Sequence, residues 1–518
     1  MRFPRSSGVL LHPTSLPGPW GIGDLGPAAY AFVDFLVAAG QGLWQILPLG
    51  PTGYGDSPYQ CFSAVAGNPL LVSLDALVGH GLLSAEEVAA AADGQPLSLD
   101  QVDYGAVIGF KLPLLRRSYE RLWAGAAPEV AAAFEAFKAA NAAWLDDYAL
   151  FMALKDAHGG AAWSGWPPEL RARQPEALAR ARAEHAPAIE VQRYLQFLFF
   201  SQWAPLKAYA NARGISIIGD APIFVAYDSA DVWANPELFF LDAQGLPTVV
   251  AGVPPDYFSA TGQRWGNPLY RWERMAADGY AWWVARLRAA FAQVDILRLD
   301  HFRGFAAYWE VPATQETAIH GRWVRGPGAA LFRRLEQELG SLPIIAEDLG
   351  LITPDVHALR EQFDLPGMKI LQFAFDGDAA NPYLPHHHVR NCVVYTGTHD
   401  NDTTIGWFTG LSEDQRNIVR AYLGRDGSDI AWELIRAAFM SVADLAVVPF
   451  QDILRLGSDA RMNTPGLLGA NWGWRFRAEA LNGDVAGALR FFTALYDRLP
   501  THLRPARGEP PAYNPVES

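Results

Sequence analysis

Short, unbroken apolar runs bounded by turn residues recur along the chain. They are LWQILPL (43–49), PLLVSL (69–74), ISIIGD (215–220), DILRLD (295–300), PIIAED (343–348), MKILQF (368–373), CVVYTGTHD (392–400) and LAVVPFQD (445–452). Strands buried on both faces look like this, continuous rather than alternating. Between most of these runs apolar residues fall at helical spacing, over 26–40, 188–213, 278–291, 328–339, 412–424 and 428–443. Thr353-Pro354 offers an N-cap and a first-turn proline, and Ser412 with Gln415 makes a capping box. Strand and helix alternating in this way predict an α/β chain, a parallel (β/α)8 TIM barrel with insertions. An open doubly wound sheet is the alternative, but no GxGxxG follows an early strand.

Two connections exceed the repeat. Residues 75–186 are rich in Ala and Glu with helical periodicity, and Ser84 with Glu87 again resembles a capping box. Residues 221–277 are rich in Pro, Gly, Asp and aromatics, a long loop region of the kind that forms lids and binding loops. The expected organisation is therefore the first barrel strands in 1–74 and an inserted, mainly helical subdomain in 75–186. The rest of the barrel follows in 187–518, with the loop-rich insertion at 221–277 over the active-site face.

Composition narrows the function. The formal net charge is −14 without long runs of one sign, which argues against nucleic acid, whose binding needs clustered Lys and Arg. No apolar stretch reaches the roughly 18 residues of a membrane span. The opening MRFPRSSGVLLHPTS lacks a signal-peptide layout, and two cysteines, Cys61 and Cys392, make no disulfide framework. The expected compartment is the cytoplasm. Of the 18 Trp, most belong in the core, yet several aromatics sit in turn-rich stretches such as YFSATGQRWGNP (257–268), where flat rings suit sugar faces.

The candidate chemistry lies at strand ends, which converge on one face of a parallel barrel. Asp220 ends one run, Arg298-Leu299-Asp300-His301 the next, Glu347-Asp348 another, and His399-Asp400-Asn401-Asp402 a fourth. An Asp after a strand is often only a helix cap or turn former, but Arg and His accompany these acids at matching positions. Arg298 precedes Asp300 by two residues, so both side chains share one side of a strand, and the cation favours an ionised Asp300. Paired carboxyls suit glycoside chemistry, one ionised to attack and one protonated to release the leaving oxygen. Glu347 ends an apolar segment, and partial burial would raise its pKa as the acid requires; Asp348 beside it either supports the site from behind or is structural. Metal binding is the competing use, but HExxH and CxxC are both missing and the His386-His387-His388 run looks solvated. No P-loop and no GxSxG appears.

Longer motifs carry a family resemblance. LHPTSLPG (11–18), PLGPTGYGDSPYQ (48–60), AGNPLL (66–71), GDAPIFVAYDSADVW (219–233), RLDHFRG (298–304), AEDLG (346–350) and TGTHDND (396–402) resemble the amylomaltases, or disproportionating enzymes, of the α-amylase clan. The likeness runs from about residue 8 to about 475. It implies a 4-α-glucanotransferase that passes α-1,4-glucan segments to the 4-OH of an acceptor through a covalent glycosyl-enzyme, with retention. It also implies Asp300 as nucleophile, Glu347 as acid/base and Asp400 as a third acid gripping sugar hydroxyls. Arg298, His301, His399 and Asp220 would surround the sugar at the cleavage point. Asp256, Tyr257 and Trp265 would belong to a mobile loop over the cleft, with Tyr54 and Tyr59 near the glucan path. Cys61 stands where many relatives have Ser, and 75–186 shows little that aligns. No cofactor and no metal are implied; the expected partners are α-1,4-glucans such as maltooligosaccharides and amylose.

Two other functions remain in view. A hydrolase of the same clan would share the carboxylates, and only interception of the intermediate by sugar or by water separates the two. A non-catalytic glucan-binding scaffold would not need Asp300, Glu347 and Asp400 together.

Overall fold

The computed structural model describes residues 2–504, apart from 256–258, 468, 470 and the side chain of Tyr54. Twelve strands occur among the described residues: β1 Ser6–Leu10, β2 Leu43–Gln45, β3 Ser216–Pro222, β4 Val249–Val253, β5 Gln263–Pro268, β6 Ile296–Asp300, β7 Ala307–Pro312, β8 Arg322–Arg325, β9 Ile344–Ala346, β10 Gly367–Ile370, β11 Cys392–Tyr395 and β12 Leu445–Pro449. Eight of them form a parallel sheet in the order β10-β11-β12-β1-β2-β3-β6-β9. The ends of that order meet, because the Ala346 N–H donates to the Pro366 carbonyl at 2.9 Å between β9 and β10. This is the expected barrel, closed on itself and wrapped by helices, and the open doubly wound alternative is excluded.

Seven of the eight expected barrel strands form, and the eighth is a different segment. Residues 69–74 make no strand: Asn68 accepts the Leu70 N–H at 3.0 Å and starts a 3-10 turn, Pro69–Leu71, before a helix, Leu74–Gly79. Pro69 presets a turn and withholds a ladder donor. The next peptide, at Ser73, is claimed by a side chain of the helix Ala186–Ala212: Gln202 accepts its N–H at 2.7 Å and donates to its carbonyl at 3.2 Å. The missing strand is β1, with the sequence SSGVL. Gly8 is required there, because a Cβ would lie 2.4 Å from the Cβ and carbonyl oxygen of Leu43 in β2.

The six expected helices form as Pro27–Ala38, Ala186–Ala212, Ala281–Gln293, Ala329–Leu339, Glu413–Leu423 and Ile430–Met440. Both capping boxes are present, at Ser84/Glu87 and Ser412/Gln415. Thr353 does occupy an N-cap with Pro354 following, but its hydroxyl makes no cap bond. Between β2 and β3 the regular elements are helical, among them Tyr104–Trp123 and Pro128–Ala157.

Outside 256–258, residues 221–277 hold more regular structure than a loop. They contribute β4 and β5, which join β7 and β8 in an antiparallel sheet of order β5-β4-β7-β8. The segment QRWGNP of β5 reads as a turn from its Gly and Pro, and its pairing with β4 across Val250↔Pro268 and Gly252↔Arg264 is a long-range fact. The large core aromatics include Trp44, Trp163, Trp166, Trp203, Trp233 and Trp283, all fully buried. Among the described residues no helix is long and apolar enough to cross a membrane.

Candidate active site

The parallel register places Asp220 of β3 beside Arg298 of β6. The Arg298 side chain is buried and forks between two acids, donating to Asp220 Oδ2 at 2.6 Å and to Asp300 Oδ1 at 2.9 Å. Burial alone would lower the guanidinium pKa, but Asp220 and then Asp300 hold it well above its ordinary value. Tyr59, from the loop after β2, donates its hydroxyl to the same Asp220 oxygen at 2.9 Å. Burial and the Asp220 charge push that phenol well above its ordinary value, so it remains a donor. Burial likewise raises the Asp300 carboxyl, and Arg298 is the main force opposing that rise.

Glu347 follows β9 and is held differently. Its Oε2 accepts the His301 N–H at 2.7 Å and its Oε1 the Leu349 N–H at 2.9 Å. The Glu347 N–H in turn donates to the Leu299 carbonyl at 3.1 Å, so the ends of β6 and β9 are laced together. Burial, and after it the Asp300 charge, push Glu347 up to about 8; Arg298 and the two N–H donors only partly offset this. His301 adopts a left-handed backbone, φ 53°, a conformation non-glycine residues rarely adopt outside constrained sites. That conformation aims its N–H at Glu347. Its ring meets Trp265 of β5 edge-on at 4.7 Å and 85°, and burial lowers the imidazole to about 3.

The third acidic strand end lies on the loop after β11. The buried His399 ring stacks on Tyr59 at 5.1 Å and 19°. Exposed Asp400 accepts from Asn463 Nδ2 at 2.6 Å, with His399 Nε2 at 3.4 Å from the same oxygen. Arg461 donates to the Asp400 carbonyl at 2.6 Å. Several buried polar atoms of this group have no hydrogen-bond partner among the described residues: Asp220 Oδ1, His301 Nε2 and His399 Nδ1. Buried polar atoms are normally paired, so such a cluster at one mouth suits a hydroxyl-rich ligand.

The structure thus brings together Tyr59, Asp220, Arg298 and Asp300, joins Glu347 to His301 and Trp265, and links Asp400 to Tyr59 through His399. Tyr54 lies in the turn Tyr54–Asp56, its side chain outside the description; Asp256 and Tyr257 lie outside the described residues. Of its two expected roles Asp348 takes the structural one, paired with Arg360 at 3.2 Å and accepting the Met368 N–H at 2.8 Å. The histidine run is only partly solvated. His386 and His387 are exposed, but His388 is buried, with Nδ1 bonded to Ser441 Oγ at 2.7 Å and Nε2 to the Tyr383 carbonyl at 2.9 Å. Sequence reasoning missed Asn463, Arg461 and Trp472, whose ring lies 6.0 Å from both Tyr59 and His399. They arrive from beyond the last strand and carry no local pattern that would mark them.

Comparison with known proteins bears on this arrangement. A family profile described as 4-alpha-glucanotransferase matches residues 11–481. The chain is 51% identical over 507 residues to the 4-alpha-glucanotransferase of Thermus thermophilus, covering 96% of this chain and 100% of the relative. It is 46% identical over 505 residues to the chloroplastic/amyloplastic 4-alpha-glucanotransferase of Solanum tuberosum, covering 96% of this chain and 87% of that one. Among solved structures, the amylomaltase from Streptococcus agalactiae in complex with acarbose superposes with a TM-score of 0.91 at 41% identity, covering 95% of this chain and 99% of the other.

Proposed function

We propose, on the premise that this chain belongs to the 4-α-glucanotransferase family, that it breaks and remakes α-1,4 bonds by a retaining double displacement, with Asp300 as nucleophile and Glu347 as acid/base. As a member of that family the chain is a glycosyltransferase acting on α-1,4-glucans. The proposal therefore concerns how the transfer is done.

One observation carries it: the two carboxyls are held in opposite ways. Asp300 faces the Arg298 guanidinium at 2.9 Å, whereas Glu347 rests on two main-chain N–H groups and is pushed up to about 8. A single proton shared by the pair therefore resides on Glu347, as the division of labour in retaining enzymes requires. In the first step an Asp300 oxygen bonds to the anomeric carbon, the bond to the leaving 4-oxygen breaks, and Glu347 protonates that oxygen. In the second step the 4-OH of an acceptor gives its proton to Glu347 and displaces Asp300.

The remaining groups bind and orient. Asp400 reaches the sugar hydroxyls while Asn463 and His399 hold one of its oxygens. Neutral His301, together with His399 and Asp220, offers unpaired polar atoms to other hydroxyls, as oriented partners that cost no reorganisation in the transition state. Trp265, with Asp256 and Tyr257 on the same segment, favours sugar over water as acceptor. Tyr54 and Tyr59 lie along the glucan path. With Cys61 and Cys392 both free thiols, we assign the enzyme to the cytoplasm.

The test is incubation of the protein with maltotriose and resolution of the products. Transfer yields glucose and a ladder of longer and shorter maltooligosaccharides. Glucose and maltose alone would mean that water intercepts the intermediate, the behaviour of the clan's hydrolases.

A further inference from the structure

The loop bearing His399 and Asp400 runs from Thr396, next after β11, to Thr404, the first residue of the helix Thr404–Gly410. Both ends of that loop are tied to one side chain that the reading of the sequence left aside. Asp452 sits on the short helix Phe450–Ile453 that follows β12, and is 1% exposed. Its Oδ2 accepts the Thr396 hydroxyl at 2.6 Å and the Thr404 hydroxyl at 2.7 Å, while its Oδ1 accepts the Thr404 N–H at 2.7 Å. Burial raises this carboxyl, and the Thr396 and Thr404 donors work against the rise. All three bonds are donated to the acid, an arrangement that favours its charged form.

A buried carboxylate is costly unless fully satisfied, so its presence calls for a task. Joining the neighbouring strands is not that task, because β11 and β12 already share a main-chain ladder over Val393–Tyr395. Capping the helix accounts for only part of it: Asp452 takes the Thr404 N–H beside the Thr403 hydroxyl on the Gly406 N–H, but a cap needs no bond to Thr396. Among the described residues Asp452 is the side chain that bonds both Thr396 and Thr404, while Gln372 adds a second bridge, from its N–H to the Thr396 carbonyl at 3.3 Å and from its Nε2 to the Asp402 carbonyl at 2.9 Å. The outer ties of the loop are at its exposed rim, through Asn463 and Arg461 to Asp400 and through Ser458 to Asp402 at 2.8 Å.

We propose that Asp452 is a positioning residue for glucan transfer: by pinning Thr396 and Thr404 to one buried carboxylate it sets where Asp400 and His399 meet the sugar. This rests on the reading of Asp400 as a group that touches substrate. Asp452 itself stays behind the loop and acts through it.

The test compares kcat and KM on maltotriose for folded Asp452→Ala, Asp452→Asn, Thr396→Val and Asp400→Ala, with a melting curve for each. A displacement of about 1 Å at a reacting group costs up to about 100-fold, so Asp452→Ala is expected to lower kcat by about 10- to 100-fold with KM within about threefold. Asp452→Asn recovers most of that loss, because its amide oxygen accepts the Thr404 N–H and its NH2 donates to the hydroxyls. Thr396→Val, which deletes one tie, falls between. A role confined to stability would lower the melting temperature and leave kcat of the folded enzyme intact, and that result in Asp452→Ala overturns the proposal. Should Asp452→Ala not fold, wild-type kcat in Thr396→Val overturns it instead. Loss in Asp400→Ala beside wild-type kcat in Asp452→Ala sinks the positioning role alone; wild-type turnover in Asp400→Ala sinks the reading of Asp400 and this proposal together.

Discussion

The Arg298 guanidinium donates to the Asp300 carboxylate at 2.9 Å from two residues earlier on the same strand, so acid and countercharge are held by one rigid element. The same guanidinium holds Asp220 of the adjacent strand at 2.6 Å, which fixes the fork against rotation. A strand whose side chains repeat every second residue produces this pairing without any loop to order it.

Replacing Arg298 with Met leaves buried Asp220 and partly exposed Asp300 without their cation. Breaking a buried pair in this way costs about 3–5 kcal/mol, so the melting temperature of Arg298→Met should fall clearly. Because Arg298 works against the rise in the Asp300 pKa, its loss lets that pKa climb. The acid limb of the pH–rate profile, where Asp300 must be ionised to attack, should then move to higher pH. An unmoved acid limb in a folded Arg298→Met protein would count against Asp300 as the attacking group.

Asp300→Asn preserves shape and removes the nucleophile. An amide cannot attack the anomeric carbon, so trapping with a fluorinated maltosyl donor should leave this variant without a covalent adduct while the wild type is labelled. Peptide mapping of the wild-type adduct is the check. Label on any residue other than Asp300 rejects the assignment.

Glu347→Gln should lower turnover of maltotriose by about 10²–10⁴-fold, the usual contribution of a general acid/base, and lose less with fluoride donors, whose leaving group needs no proton. Equal losses with both donors would remove Glu347 from that role. Wild-type turnover should decline as pH rises through about 8, where Glu347 gives up its proton. Stability follows the same sign. The folded value lies above the ordinary 4.5, so the folded state keeps a proton that the unfolded chain releases, and stability is lost as pH rises from 4.5 to about 8. Glu347→Gln lacks that titration, so its melting temperature should gain on the wild type across that window and be level with it below. Parallel curves over the window would show that Glu347 is not raised.

Trp265→Ala removes the ring that meets His301 at 4.7 Å. Losing one aromatic contact costs roughly 0.5–1.5 kcal/mol beyond its buried area, too little to unfold a domain of this size. Released reducing ends should rise relative to transferred glucosyl units with maltotriose, even as total turnover falls. An unchanged ratio means that water is kept out elsewhere.

Local order was plain in the residues wherever a pattern repeats. The seven apolar runs that become barrel strands, the six amphipathic helices and both capping boxes depend on neighbours along the chain. The acids at 220, 300, 347 and 400 were visible because each follows such a run. Where the residues misled, the cause was a competing contact. PLLVSL has the composition of a strand, but Asn68, Pro69 and Gln202 take its backbone groups first. SSGVL looks too short and too small to be one, yet only glycine at position 8 lets β1 approach Leu43.

What the sequence determined by itself is therefore the parallel barrel, the list of acids that crown it and, through its long motifs, the family. Tertiary structure decided what else holds those acids. The two-residue spacing already set the Arg298 guanidinium beside Asp300, but nothing along the chain says that the same guanidinium also grips Asp220, or that Glu347 rests on the N–H of His301 from another strand end. Likewise nothing near Asp400 announces Asn463, and nothing near Thr396 announces Asp452. Periodicity and capping are set by interactions within a few residues, so they can be read in order. Charge and pKa in a buried site are set by whatever packs within a few ångströms, and only folding chooses those neighbours.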